Sequence, residues 1–174
     1  MEKESFPNMA DMETLDRFDL AILRELQLDA RLTNAELAQR VGLSAAPCWR
    51  RVRALEAAGY ILGYHAQLNR QKLGLGVLAF VRLDAERNSA DAMRQLEEAV
   101  RQLPEVTSCH YISGTGTFEL QVVAEDLDHF SRFALQHLAN LPQVKDLHTS
   151  FSLGEVKAGG ALPLGHLDAA APRR

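Results

Sequence analysis

Hydrophobic positions along the chain change their period once, near residue 75, and that change divides the sequence. Before it the spacing is helical. Leu15-Asp16-Arg17-Phe18-Asp19 predicts a helix start, with Asp16 as N-cap, Asp19 as first-turn negative charge and Leu15 stapling to Leu20. Ile22, Leu23 and Leu26 carry an apolar face to about Leu28. Thr33-Asn34-Ala35-Glu36 is a capping box, flanked by a Leu32/Leu37 staple, for a short helix ending at Val41-Gly42. Ser44 then caps a third helix, from Ala45 to about Ala58, with Pro47 in its first turn and Gly59 closing it. Two short helices joined by Gly42-Leu43 predict a helix-turn-helix, and residues 60–68 fit a short hairpin, a wing.

After residue 75 the period is two. Leu75, Val77, Ala79, Val81 and Leu83 form one strand face, with Leu78 and Phe80 on the other. A helix over 89–103 carries Met93, Leu96, Val100 and Leu103 as its buried stripe. Strands follow at 106–113 and 118–124, then a helix from Asp126 burying Leu127, Phe130, Ala134, Leu138 and Leu141, then a strand over 144–153. Leu103-Pro104-Glu105-Val106 recurs as Leu141-Pro142-Gln143-Val144, and each copy is followed by a His, His110 and His148. Two βαβ halves related in this way predict a ferredoxin-like βαββαβ sheet with helices on one face. The other face, with Leu78, Phe80, Cys109, Tyr111 and Val123 assigned to it, has no cover in the sequence, so a partner sheet and at least a dimer are expected.

Composition changes this picture in one respect. The net charge of −4 argues against nucleic acid until it is divided along the chain. Residues 31–70 hold Arg31, Arg40, Arg50, Arg51, Arg53 and Arg70 against only Glu36 and Glu56, while the acidity lies in the leader and the C-terminal half. The acidic start, MEKESFPNMADMET, is the reverse of a secretory signal, and no apolar run is long enough to cross a membrane, so a cytoplasmic protein is expected. Two cysteines, Cys48 and Cys109, are too few for a disulfide framework or a zinc cage.

Arg50, Arg51 and Arg53 are the sharpest chemical feature. With Cys48, Val52, Leu55 and Gly59 on the inner side of their helix, Trp49, Arg50 and Arg53 fall outside. Arginine fits guanine bidentately and neutralises phosphate, which suits the second helix of a helix-turn-helix; a solvated arginine face is the bland alternative. Trp49 either touches sugar–phosphate or covers the junction of helix and wing. Gly114-Thr115-Gly116-Thr117 lacks the following helix and Lys of a phosphate loop and is a hairpin turn, although its amides and hydroxyls could hold a small zwitterion. The six His show no ligand spacing, and no acid–base constellation is present, so neither a metal nor an enzyme is expected.

Taken together, Leu15-Asp16-x-x-Asp19, Ala30-Arg31-x-Thr33-Asn34-x-Glu36-Leu37-Ala38, Val41-Gly42-Leu43-Ser44, Pro47-Cys48-Trp49-Arg50-Arg51-Val52, Leu55-Glu56-x-x-Gly59 and Phe151-Ser152-Leu153-Gly154-Glu155-Val156-Lys157 resemble the leucine-responsive regulatory protein/AsnC (Lrp/AsnC) family of transcription regulators. The resemblance implies an α+β protein: a disordered leader over 1–13, a winged helix-turn-helix over 14–65, a linker over 66–74, a ferredoxin-like effector (RAM) domain over 75–157, and a tail over 158–174. The tail is either a loose end or an arm onto a neighbouring subunit. The resemblance further implies homodimers assembling to octamers on a pseudo-palindromic, double-stranded DNA operator, with no cofactor but an amino-acid effector. Carried over by position, Thr33, Asn34, Ser44, Ala45, Ala46, Trp49, Arg50 and Arg53 would meet DNA. Gly114, Thr115, Gly116, Thr117, Leu127, Ser150 and Ser152 would line the effector pocket between paired C-terminal domains. The family turn is commonly Gly-Asp-x-Asp-Tyr; here Thr115 and Thr117 replace both carboxylates. An architectural DNA-binding protein without an effector is the alternative, and an enzyme or carrier built on the ferredoxin-like half is a remote third.

Overall fold

A computed structural model describes residues 15–86, 90–114 and 117–168. The leader, residues Thr115 and Gly116 of the turn, Ser89 and the last six residues lie outside the described set. The chain divides into two compact units, one formed by residues 67–156 and the other by residues up to 66 together with 157 onward.

The first unit to be built along the chain holds α1 (Arg17–Leu28), α2 (Asn34–Val41) and α3 (Ala45–Ala57). Each starts where local chemistry dictates. Asp16 accepts from the amides of Phe18 and Asp19, and Asp19 returns the bond to Asp16, a reciprocal box. Thr33 and Glu36 do the same for α2, which ends at Gly42 with φ +71°, a left-handed conformation suited to glycine. Ser44 stands at the N-cap of α3, but its side chain makes no capping bond. Ile22, Leu37, Ala38, Val41, Cys48 and Leu55 are buried together as the three-helix core.

The hairpin wing does not form: residues 61–69 run without a ladder partner. Tyr64 Oη donates to Glu56 Oε1 at 3.1 Å, which ties the segment to α3 at that point. The short α6 (Gly165–Asp168) lies against α1 in this same unit.

The other unit is a four-stranded antiparallel sheet in the order β2-β3-β1-β4, from β1 (Val77–Ala85), β2 (Val106–Tyr111), β3 (Phe118–Ala124) and β4 (Val144–Phe151). That is the ferredoxin-like order. The helices α4 (Ala90–Arg101) and α5 (Leu127–Gln136) pack on one face, where Ala79, Val81, Leu83, Leu120 and Val122 meet Met93, Leu96, Val100, Phe130 and Phe133. Burial of a side chain such as Leu96 contributes about 2 kcal/mol. β2 and β4 end two residues earlier than the sequence pattern suggested, and α4 is described from Ala90 to Arg101.

Two side-chain assignments change. A bulge between Val106 and Ser108 shifts the phase of β2, so Cys109 pairs with Leu120 and Tyr111 with Phe118 on the helix-covered face, not the open one. Ser108 and His110 take their places opposite Gln121 and Glu119. Leu127, the first residue of α5, is 57% exposed; Phe130 and Phe133 fill the core from that helix.

The open face is therefore graded. Leu78 and Val123 pair at one end, Phe80 lies between Gln121 and Ser150, and Arg82 lies between Glu119 and His148. Arg82 Nε contacts Glu119 Oε2 at 3.1 Å. Residues 67–71 and 152–155 curl over the apolar end and leave a cleft of about 990 Å³.

Candidate nucleic-acid interface and ligand turn

Asn34 is the link that sets α2 against α3. Its Nδ2 donates to the carbonyl of Ala45 at 2.8 Å, so the first residue of one helix grips the first residue of the next. Thr33 is committed to its own capping box, donating to Glu36 Oε2 at 2.7 Å. The same contacts lower the pKa of Glu36, the Thr33 hydroxyl most and the Thr33 amide next. Both residues lie beside the start of α3 as positioning groups, and their side chains are already bonded.

What α3 presents outward is then specific. Ser44, Ala45, Ala46, Trp49, Arg50 and Arg53 are exposed, Trp49 at 56%. The first turn of α3 carries no acid, so its amide dipoles meet no opposing charge there. Arg50 makes no ion pair among the described residues, and small Ala45 and Ala46 leave room for a groove wall to approach the helix. Arg53 is paired to Glu56 Oε2 at 2.9 Å, and Glu56 also accepts from Tyr64, so this arginine has a competitor for any phosphate.

Arg51 is not part of this surface. It reaches back to α1, its Nη1 2.7 Å from Asp19 and its Nη2 2.8 Å from Asp16. Burial alone would lower the Arg51 pKa, but the Asp19 and Asp16 carboxylates reverse that and hold it above its ordinary value. The sequence signal for this role was the same Arg run that marks the surface; only the helical phase separates Arg51 from Arg50 and Arg53.

The residues carried over to the effector site do not converge within one chain. Thr117, the last residue of the turn, stands near the end of β1, where its amide donates to the carbonyl of Leu83. Ser150 pairs with Phe80, and Ser152 donates to the carbonyl of Leu78 near the opposite end of β1. Five residues of strand, about 17 Å, separate Phe80 from Ala85. Thr117 itself is 2% exposed, and its Oγ1 accepts from the Ala85 amide at 3.2 Å. Its hydroxyl therefore faces inward, away from any pocket. Gly114 has φ +102° and nothing near its Cβ position, Leu127 is exposed, and Thr115 and Gly116 fall outside the described residues.

Comparison with known proteins agrees with both units. The winged helix-turn-helix DNA-binding profile matches residues 15–61, and the Lrp/AsnC ligand binding domain profile matches residues 78–162. The leucine-responsive regulatory proteins of Escherichia coli K12 and Klebsiella pneumoniae are each 40% identical over 148 residues, 85% of this chain and 90% of theirs. A transcriptional regulator from Neisseria meningitidis, solved as its L-Met complex, superposes with a TM-score of 0.84 at 42% identity, covering 88% of this chain and 99% of that one. An AsnC family regulator from Agrobacterium tumefaciens gives 0.82 at 34% identity, covering 87% and 99%. With a DNA-binding helix-turn-helix in one unit and a ligand-binding fold in the other, the chain belongs to the Lrp/AsnC family of transcription regulators.

Proposed function

We propose that the chain is a homo-oligomeric, sequence-specific transcription regulator of the cytoplasm and nucleoid, binding a pseudo-palindromic operator and responding to an amino acid or related metabolite. The observation that carries this reading is the outward row on α3, where Arg50 and Trp49 project beside exposed Ser44, Ala45 and Ala46. Arg50 reads base edges or phosphate; Asn34 and Thr33 hold α2 and α3 in register for it. The open sheet face supports a second copy as its cover, and further assembly to an octamer multiplies a few contacts per subunit into useful affinity. Because Thr117 of the turn sits at one end of β1, with Ser150 at its middle and Ser152 towards the other end, an effector site using them together takes them from different subunits. Ligand would then alter packing between C-terminal domains and hence the spacing of the DNA-binding units, by binding one arrangement better than the other. An amino acid is the favoured class because the Neisseria relative is an L-Met complex.

The buried Thr117 favours a second reading, a DNA-binding protein of this fold that answers to no effector. A thermal-shift screen against all amino acids, paired with footprinting on genomic DNA, separates the two. A discrete footprint and a raised midpoint with one amino acid support the regulator. A spreading footprint and a flat panel support the architectural protein. In the same assay Arg50→Ala costs about 1–3 kcal/mol of operator affinity; unchanged affinity at matched salt removes Arg50 from the interface.

A further inference from the structure

We propose that residues 157–168 form a strap whose docking site is the outer face of α1 in the same chain, and that docking of this strap is coupled to DNA binding. The coupling half rests on the reading above; the docking half does not.

The chain leaves the DNA-binding unit at residue 66 and re-enters it at residue 157, so that unit is discontinuous and is tethered to the effector unit twice. The returning segment is held by specific contacts. The Leu162 amide donates to Gln27 Oε1, and Asp168 Oδ1 lies 2.6 Å from Arg24 Nη2. Leu164 and Leu167 are half-buried, while Leu162 remains 72% exposed. Leu20, Arg24 and Gln27 follow one another at helical spacing and share one side of α1. Leu20 is 1% exposed yet lies outside the three-helix core cluster, which takes α1 through Ile22, Leu23 and Leu26. Helix α1 therefore has two occupied sides, one for α2 and α3 and one for the strap.

The two ends of the connection give it its meaning. The strap begins a few residues after β4, the strand that carries Ser150 and is followed by Ser152, and ends on α1, whose Asp16 and Asp19 hold Arg51 of α3. Its anchoring pair is half-exposed (42% and 54%) and so weak and salt-sensitive, as a contact that must release requires. An element that docks and undocks gives coupling a physical carrier.

Cross-linking in the full chain tests both halves. Gln27→Cys/Leu162→Cys is made with exposed Cys109→Ser, buried Cys48 being retained, and is treated with a short bismaleimide. Docking in cis gives an intrachain cross-link whose rate falls at least about fivefold in Arg24→Glu and recovers in Arg24→Glu/Asp168→Arg, as expected for a charge-swapped pair. Coupling is reciprocal, so saturating sheared duplex DNA at low salt changes the cross-linking rate of the double-cysteine chain with native Arg24 and Asp168 at least about threefold. No cross-link, an interchain cross-link or no rescue overturns the docking. An unchanged rate with DNA demonstrably bound overturns the coupling alone. A chain that shifts no duplex DNA sinks the preceding reading and the coupling with it, while the charge-swap rescue still decides the docking.

Discussion

Arg51 on α3 and Asp19 on α1 meet at 2.7 Å, and Asp19 is itself the third residue of α1, the one that closes the box at its start. One carboxylate thus caps a helix and anchors another. Arg51 also stacks on Phe18, 5.4 Å from the ring centroid. Arg51→Ala is expected to destabilise the DNA-binding unit by about 1–2 kcal/mol, since charged hydrogen bonds and packing are lost from a half-buried site. Arg50→Ala, with no such partners, changes stability by less than about 0.5 kcal/mol. Urea titration followed by Trp49 fluorescence distinguishes them. Equal midpoints would mean that the interhelical pair contributes nothing.

The acid limb of stability carries the same signature. Burial raises the Asp16 pKa, but the amides of Asp19 and Phe18 and the Arg51 guanidinium outweigh it and leave the carboxyl below its ordinary 3.8. A folded pKa below the unfolded one gives stability that is present above the unfolded value and lost as pH falls through the folded one. The melting temperature of this unit is therefore flat from neutral pH to about 5 and falls below about 4. Asp16→Asn melts lower at pH 7 and converges with the parent near pH 3. Parallel curves for the two would refute the assignment.

What was legible in the sequence was chiefly local. Capping residues announce a helix within four positions, so Asp16, Thr33 and Gly42 could be placed from the chain alone. The period-two run at Ala79, Val81 and Leu83 could be assigned to the covered face because β1 is central and its alternation is unbroken. The edge strand misled. Nothing in Val106-Thr107-Ser108-Cys109 signals a bulge, and one extra residue sends every later side chain to the opposite face. The site was legible to the same extent: the outward phase of Arg50 follows from helix geometry. That Arg51 meets Asp16 and Asp19, or that Tyr64 is drawn to Glu56, depends on contacts made only after the helices pack.

Thr117 illustrates how a surface position in a motif becomes a core position in a fold. Its hydroxyl accepts from the Ala85 amide inside the sheet. Thr117→Val keeps the shape and strands that buried donor, costing about 1–3 kcal/mol in the C-terminal unit. Thr117→Asp, which restores the carboxylate common in the family, is expected to cost more because it buries a charge, and to create no amino-acid response. Calorimetry and a ligand thermal shift on both variants check this. A stable Thr117→Asp that gains ligand binding would show that the turn can be everted.

The two Leu-Pro-x-Val copies differ in one backbone angle. Gln143 has φ +66°, the one non-glycine at positive φ among the described residues, whereas Glu105 at the equivalent place does not share it. Its carbonyl accepts from Glu86, which fixes the turn before β4. Gln143→Gly is expected to stabilise the C-terminal unit by up to about 1 kcal/mol, relief of left-handed strain exceeding the added freedom of the unfolded chain. Glu105→Gly, by contrast, destabilises it. A loss of stability in Gln143→Gly would show that the glutamine side chain makes up for its backbone.

The open sheet face sets the last expectation. Phe80 lies at its centre, between Gln121 and Ser150, with Leu78 and Val123 on the apolar side and the Arg82–Glu119 pair on the other. None of these apolar side chains belongs to the helix-side core, so a charge at position 80 leaves that core intact. If a second copy covers this face, Phe80→Glu places two like charges in a desolvated, two-fold interface and lowers the association constant by at least about a hundredfold, or roughly 3 kcal/mol. Sedimentation velocity then reports monomers where the parent assembles, with an unchanged circular dichroism melt of the C-terminal unit at low concentration. Operator affinity falls in step, because single subunits lose the multiplication that joined sites provide. Assembly that survives Phe80→Glu with the same stoichiometry would move the interface off this face. The exposed Leu127 and Leu135 of α5 would then be the surface to mutate next.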